Sequence, residues 1–227
     1  MTRHSPVRSG AARPQTDAIQ DDPIRASQYI FRVVLDALAN PGSIQQAIVH
    51  PRIRTEASIA SPYLASVLLT LLDHEVSLHV APGPNGESLA ALATLADLMV
   101  RRTRTTLLEA GPADFVVADA AGMENGLPEM LRRGSLEYPD DGATLVVDVP
   151  SLDGPLGGDL ELTLTGPGIE SVRRLQLAGL PAAFFHSRNR AVANYPMGID
   201  LLLVDEAGRV VGLPRTTRIA IYAEGAR

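Results

Sequence analysis

Apolar positions near the start of the chain recur at helical spacing. Ile30, Val33, Val34, Ala37 and Leu38 fall on one face. Asp22-Pro23 ahead of them is an N-cap with Pro at the first helical position, and Asn40-Pro41-Gly42 is a stop signal. The spacing predicts an amphipathic helix over residues 23–39. Ser61-Pro62 repeats the start signal. Tyr63, Leu64, Val67, Leu68, Leu71 and Leu72 then predict a strongly apolar helix to about Asp73. Glu75 to Val80 reads as a short strand, Pro82 to Gly86 as a loop and Leu89 to Val100 as a helix. Ala113 to Ala118 reads as a buried strand. Leu127 to Arg133 reads as a short helix closed by Gly134.

The pattern then turns to strands. Ala143 to Val149 is a continuous apolar run. Leu160, Leu162 and Leu164 alternate with Glu161, Thr163 and Thr165, the mark of a half-buried strand, and Gly166-Pro-Gly168 ends it. Leu180 to Val192 predicts a helix. Ile199–Val204, Arg209–Leu213 and Thr217–Tyr222 predict three closing strands, with a hairpin turn over Asp205–Gly208 between the first two. Helices alternate with strands early and hairpins dominate late. The expected architecture is therefore an α/β layered fold with a mixed sheet.

The chain has 227 residues, enough for one domain with a full hydrophobic core. Residues 1–21 are polar and rich in Arg, Ser, Ala and Pro, and are expected to form a flexible tail ahead of a single domain over 22–227. No internal repeat stands out. No stretch reaches the roughly 18 apolar residues that span a membrane. The first residues lack the apolar segment of a secretory signal, so the expected location is the cytoplasm.

Composition matters mainly through its zeros. There is no Cys and no Trp, and all 20 Lys+Arg residues are Arg. Without Cys there is no disulfide, thiolate nucleophile or zinc–thiolate site. Without Lys there is no Schiff base with pyridoxal phosphate or a carbonyl substrate, and no P-loop. A net charge of −6 gives no reason to expect a nucleic-acid partner. Neither a metal nor another cofactor is called for, since no two of His4, His50, His74, His79 and His186 sit at a convincing ligand spacing.

Leu213-Pro-Arg-Thr-Thr-Arg218 is the densest polar segment. Two arginine forks, Arg215 and Arg218, flank the hydroxyls of Thr216 and Thr217. Such a set can cradle phosphate or carboxylate. In a strand Arg215 and Thr217 would share one face, with Thr216 and Arg218 on the other. The plainer reading is an edge strand carrying solubilising charge. Asp200 enters an apolar strand and needs a partner, which an Arg of the 215–218 segment could supply. His186, in Phe184-Phe-His-Ser-Arg188, is the best single acid/base candidate. Arg101-Arg-Thr-Arg-Thr-Thr106 follows a helix end, where the helix dipole accounts for its cations. There is no Gly-x-Ser-x-Gly elbow, and Gly154–Gly158 is not a dinucleotide fingerprint.

Several segments together resemble the PhnH subunit family of the bacterial carbon–phosphorus lyase system. They are Phe31-Arg-Val-Val-Leu-Asp-Ala-Leu-Ala-Asn-Pro-Gly42, Leu68–Asp73, Gly142–Leu145, Leu162-Thr-Leu-Thr-Gly-Pro-Gly-Ile169, and Tyr195-Pro-Met-Gly-Ile-Asp-Leu201 leading to Leu213–Arg218. Tyr195 stands where the family usually has Phe. The resemblance implies a fold similar to the large domain of pyridoxal-phosphate-dependent transferases, without the cofactor. It implies a homodimer when isolated and assembly with the G, I and J subunits. The complex would displace adenine from ATP with an alkylphosphonate, giving a ribose 1-phosphonate 5-triphosphate. No catalytic residue is implied for this chain. Two alternatives remain: a stand-alone enzyme acting on a nucleotide or sugar phosphate through Arg215, Arg218 and His186, and an anion-binding regulatory module. The amino-terminal helix, apolar on more than one face, is an expected contributor to subunit contacts.

Overall fold

Asp22 caps the first helix as its sequence dictates, its carboxylate accepting the amides of Ile24 at 2.9 Å and Arg25 at 3.4 Å. A computed structural model describes residues 19, 21–56, 59, 61–81, 86–121, 126–152 and 160–222. The first half contains α1 (Pro23–Ala39), β1 (Gln45–Gln46), α2 (Pro51–Arg54), α3 (Pro62–Leu71), β2 (Ser77–Val80), α4 (Gly86–Thr103), β3 (Thr106–Leu107), β4 (Phe115–Asp119) and α5 (Leu127–Met130). A 3-10 turn at Pro139–Asp141 leads to β5 (Thr144–Val149), β6 (Leu160–Thr165), β7 (Arg173–Leu177), α6 (Ala182–Ala191), β8 (Asp200–Asp205), β9 (Arg209–Leu213) and β10 (Arg218–Tyr222). Most of the expected tail, residues 82–85 of the expected loop, and Gly154–Gly158 lie outside the described residues. Ile19 packs against the helical core, and Asp21 pairs with Arg54 at 3.6 Å.

Seven strands form a mixed sheet in the order β1-β9-β8-β5-β4-β2-β3. Strands β2, β3, β4, β5 and β8 pair parallel, while β9 and β1 add antiparallel. The α/β expectation with a mixed sheet therefore holds. Alternate residues of each central strand feed opposite cores. Val117, Val146, Leu202 and Val204 pack with α1, α3 and α4. Val116, Leu145, Val147, Leu201 and Leu203 pack on the other face, with α6 and the strands β6, β7 and β10. Burial on both faces is why these strands read as unbroken apolar runs.

Several expectations need correction. Strand β10 does not close the main sheet. It leaves after Pro214, which has no N–H to continue a ladder, and joins a second antiparallel sheet in the order β10-β6-β7. Strand β7 has no counterpart in the sequence reading, because Leu175 and Leu177 are its only buried apolar positions. The helix expected to run to Arg133 stops at Met130. The next residues extend instead: Arg132 O accepts the amide of Ala143 at 2.8 Å, and Arg133 O that of Gly198 at 2.8 Å. Gly134 turns the chain at φ 72°, where a Cβ would lie 2.6 Å from Tyr138 O.

Candidate functional site

Residues 214–217 form a turn rather than a strand, so the two-faced alternation expected for Arg215 to Arg218 does not apply. The amide of Thr217 donates to Pro214 O at 2.9 Å. Arg215 folds back from the turn onto Asp200 at the start of β8. Its amide and Nε reach Asp200 Oδ1 at 2.8 and 3.2 Å, and its Nη2 reaches Oδ2 at 2.6 Å. Its Nη1 donates to Pro139 O. The partner expected for Asp200 within residues 215–218 is thus Arg215, reaching it from a turn and not from a neighbouring strand, and the pair leaves the Arg215 guanidinium engaged.

Beneath the turn lies Arg188 of α6, 0% exposed. Its Nη1 donates to Thr217 O at 2.7 Å, and its Nη2 to Pro214 O at 2.6 Å and Leu213 O at 3.3 Å. Its Nε has no partner among the described residues, nor has the buried Thr217 Oγ1. Burial pulls the Arg188 pKa down to about 10, against the opposing field of Asp200, so it stays charged at neutral pH. Against the turn opens a cavity of about 790 Å³. Its wall includes Arg188, Arg215, Thr216, Thr217, Arg218 and Tyr195 and, among the described residues, no carboxylate. Arg218 is exposed and makes no ion pair among the described residues.

His186 is on the same helix but turned outward. It is exposed and lines a neighbouring hollow of about 640 Å³ with Arg190. The structure brings together Asp200, Arg215, Thr216, Thr217 and Arg218, and sets His186 apart. Arg188 is a site residue that the sequence reading missed. Its signal was present: positions 184, 188 and 191 share a helical face, and Phe184 and Ala191 on that face are buried. Arg101 and Arg102 are accounted for by Asp97 and Glu56, at 3.9 and 2.6 Å.

A second polar hollow, about 380 Å³, opens at the C-terminal ends of β4 and β5. Asp119 and Asp148 are register partners there on adjacent parallel strands. Ser88 Oγ donates to Asp119 at 2.7 Å and Ser61 Oγ to Asp148 at 3.1 Å. Burial, with Asp119, Glu206 and Asp205 adding repulsion, pushes the Asp148 carboxyl up to about 6. Asp119 closes the apolar run 115–118 and Asp148 interrupts the run 143–149, which is the sequence signal that could have found them. Among the described residues no group of three His, Asp or Glu could hold a metal ion, and no helix is long and apolar enough to cross a membrane.

The sequence that folds into this mixed sheet and these turns matches a class of proteins, those of bacterial phosphonate metabolism. The profile of that family, described as bacterial phosphonate metabolism protein (PhnH), matches residues 19–220. The chain belongs to the PhnH family. It is 35% identical over 193 residues to a protein of Stutzerimonas stutzeri named as putative C-P lyase subunit protein HtxG, covering 85% of each chain. It is 32% identical over 231 aligned positions to the alpha-D-ribose 1-methylphosphonate 5-triphosphate synthase subunit PhnH of Rhizobium meliloti (strain 1021), covering 96% of this chain and 98% of that one.

Proposed function

We propose that this chain is a subunit of a carbon–phosphorus lyase complex acting in alkylphosphonate breakdown. In this reading it supports transfer of the ribose triphosphate part of ATP to the phosphonate, with release of adenine. The observation that carries it is similarity along nearly the whole chain to two proteins named as subunits, one of the lyase and one of the ribose 1-methylphosphonate 5-triphosphate synthase.

The finer parts of the reading follow. The partners are the G, I and J subunits, the isolated chain is a homodimer, and the location is the cytoplasm. Residues 22–227 act as one unit, and the mixed sheet with helices packed on its face supports a likeness to the large domain of pyridoxal-phosphate-dependent transferases. That likeness is one of architecture. With no Lys in the chain, no side chain could hold the cofactor as a Schiff base.

A stand-alone enzyme is the weaker reading. It needs Arg215, Arg218 and His186 around one phosphate, yet Arg215 is bound to Asp200 and Pro139, and His186 faces the neighbouring hollow. The test is reconstitution of the full-length chain with the other core subunits. Co-elution, and adenine release from ATP and methylphosphonate that requires this chain, are the expected results. A complex that assembles and works without it would overturn the reading.

A further inference from the structure

Three segments that carry the family resemblance meet at the arginine-walled cavity. Gly166-Pro167 ends β6, Tyr195 precedes β8, and residues 216–218 follow β9. The first and last of these touch closely. Gly166 sits at φ 136°, and a Cβ there would come within 2.9 Å of Thr216 O. The backbone of one turn is therefore seated directly against the other, which fixes the shape of the wall.

The charges on this wall are out of balance. The chain as a whole carries 26 acids to 20 bases, yet among the described residues the wall holds three arginines and no acid. Asp200, from behind, neutralises Arg215. Arg188 and Arg218 are left. Arg188 is fully buried, and its hydrogen bonds among the described residues go to neutral acceptors, the carbonyls of residues 213, 214 and 217 and, at 3.5 Å, the Asn189 side chain; Asp200 acts on it through its field without a hydrogen bond. A buried cation with no carboxylate in hydrogen-bond contact, sharing the one Asp200 charge with Arg215, is costly. A fixed anion in the adjoining cavity would offset that cost. Arg218 is exposed at the same wall, its fork without a partner among the described residues, and a planar fork suits a tetrahedral oxyanion.

We propose that this cavity is a binding site for a doubly charged phosphate- or phosphonate-type oxyanion. Arg218 supplies the forked contact and Thr216 a hydroxyl. Arg188, covered by the turn, supplies a fixed positive potential without touching the ligand. Three arginines against the one carboxylate of Asp200 leave two net positive charges, which match a dianion better than a carboxylate. A volume of about 790 Å³ also leaves room for an organic substituent on the oxyanion. The site is independent of the assembly reading, which assigns no ligand to this chain.

The test is calorimetric titration of the isolated full-length protein with inorganic phosphate, methylphosphonate and acetate at low salt. Phosphate and methylphosphonate are expected to bind at least about tenfold more tightly than acetate. Arg218→Gln should weaken both by about tenfold or more with an unchanged melting temperature. Arg174→Gln, which removes an exposed cation outside the cavity, should leave them unchanged. Three results would overturn the site: no heat and no phosphorus NMR shift with either ligand, equal affinity for acetate, or indifference to Arg218→Gln. A chain that assembles with its partners yet binds no oxyanion would leave the assembly reading standing and remove this one.

Discussion

Arg215 and Asp200 are joined by three hydrogen bonds of 2.6–3.2 Å, two from the guanidinium and one from the Arg215 backbone amide. The pair ties the turn after β9 to the start of β8, and both side chains are largely shielded, at 13% and 24% exposure. Breaking such a pair strands a charge. Arg215→Met should therefore lower unfolding stability by about 3 kcal/mol, read from urea denaturation. Arg215→Lys should recover little, because an ammonium cannot reproduce the fork geometry. If Arg215→Met melted like the parent, the pair would be ornament on a turn held by Arg188 alone.

Asp148 gives a pH dependence of definite sign. Its carboxyl is pushed up to about 6 by burial first, then by the charges of Asp119, Glu206 and Asp205. A folded-state pKa above the unfolded value means that the protonated form is favoured on folding. Its contribution is fully present below about pH 4 and is lost as pH rises through 6. Asp148→Asn keeps an acceptor for Ser61 and carries no charge. Relative to the parent, it should be close to neutral near pH 4 and stabilising by on the order of 2 kcal/mol at pH 8. Denaturant melts at the two pH values check this. An equal difference at both would show that ionisation of Asp148 is not the cause.

The main sheet was legible in the sequence because its central strands are buried on both faces. The apolar runs within Thr144–Val149 and Asp200–Asp205 leave few alternatives to a buried strand. Helix α1 was legible because Asp22 and Asn40 mark both ends. Ser61 shows the limit. It carries the start signal for α3, yet its hydroxyl makes no cap and turns to Asp148, 87 positions away. Long-range pairing of that kind leaves no local trace. The same holds for β10, whose pattern says strand but not which sheet. At the candidate site the ion pair of Asp200 was legible from the cost of an acid in an apolar strand. Arg188 was not singled out: Phe184 and Ala191 mark its helical face as apolar, but nothing local says that the face packs under the turn after β9.

His50 titrates in the opposite sense to Asp148. Its Nδ1 accepts the amide of Arg52 at 3.1 Å, capping α2, and its Nε2 lies 3.1 Å from Pro23 O and 3.2 Å from Ser27 Oγ. Burial, with Arg52 and Arg54 adding repulsion, lowers its pKa against the opposing bond to Pro23. The neutral ring is the folded form. Its contribution is present above the ordinary histidine range and is lost as pH falls through the lowered value. His50→Asn keeps a capping acceptor and cannot titrate. Its stability should vary less than the parent's between about pH 7.5 and about pH 5, as measured by thermal melts in matched buffers. Parallel curves would assign the acid sensitivity elsewhere.

Helix α1 presents a second apolar face to solvent. Ala26, Ile30, Val33, Val34 and Ala37 are buried against the sheet, while Ile24, Phe31 and Leu35 remain 71%, 47% and 49% exposed. The three lie seven and four residues apart, so they form one stripe along the helix. The helix is thus not sealed by its own core, and an apolar stripe of this kind fits subunit contact. Phe31→Glu with Leu35→Glu should change the isolated chain's stability by no more than about 1 kcal/mol, since neither side chain is in the core. The same pair should abolish the proposed co-elution with other subunits, or break the proposed homodimer, in size-exclusion runs. Retention of both assemblies at unchanged elution would place the subunit contacts on another surface and leave the stripe without a partner.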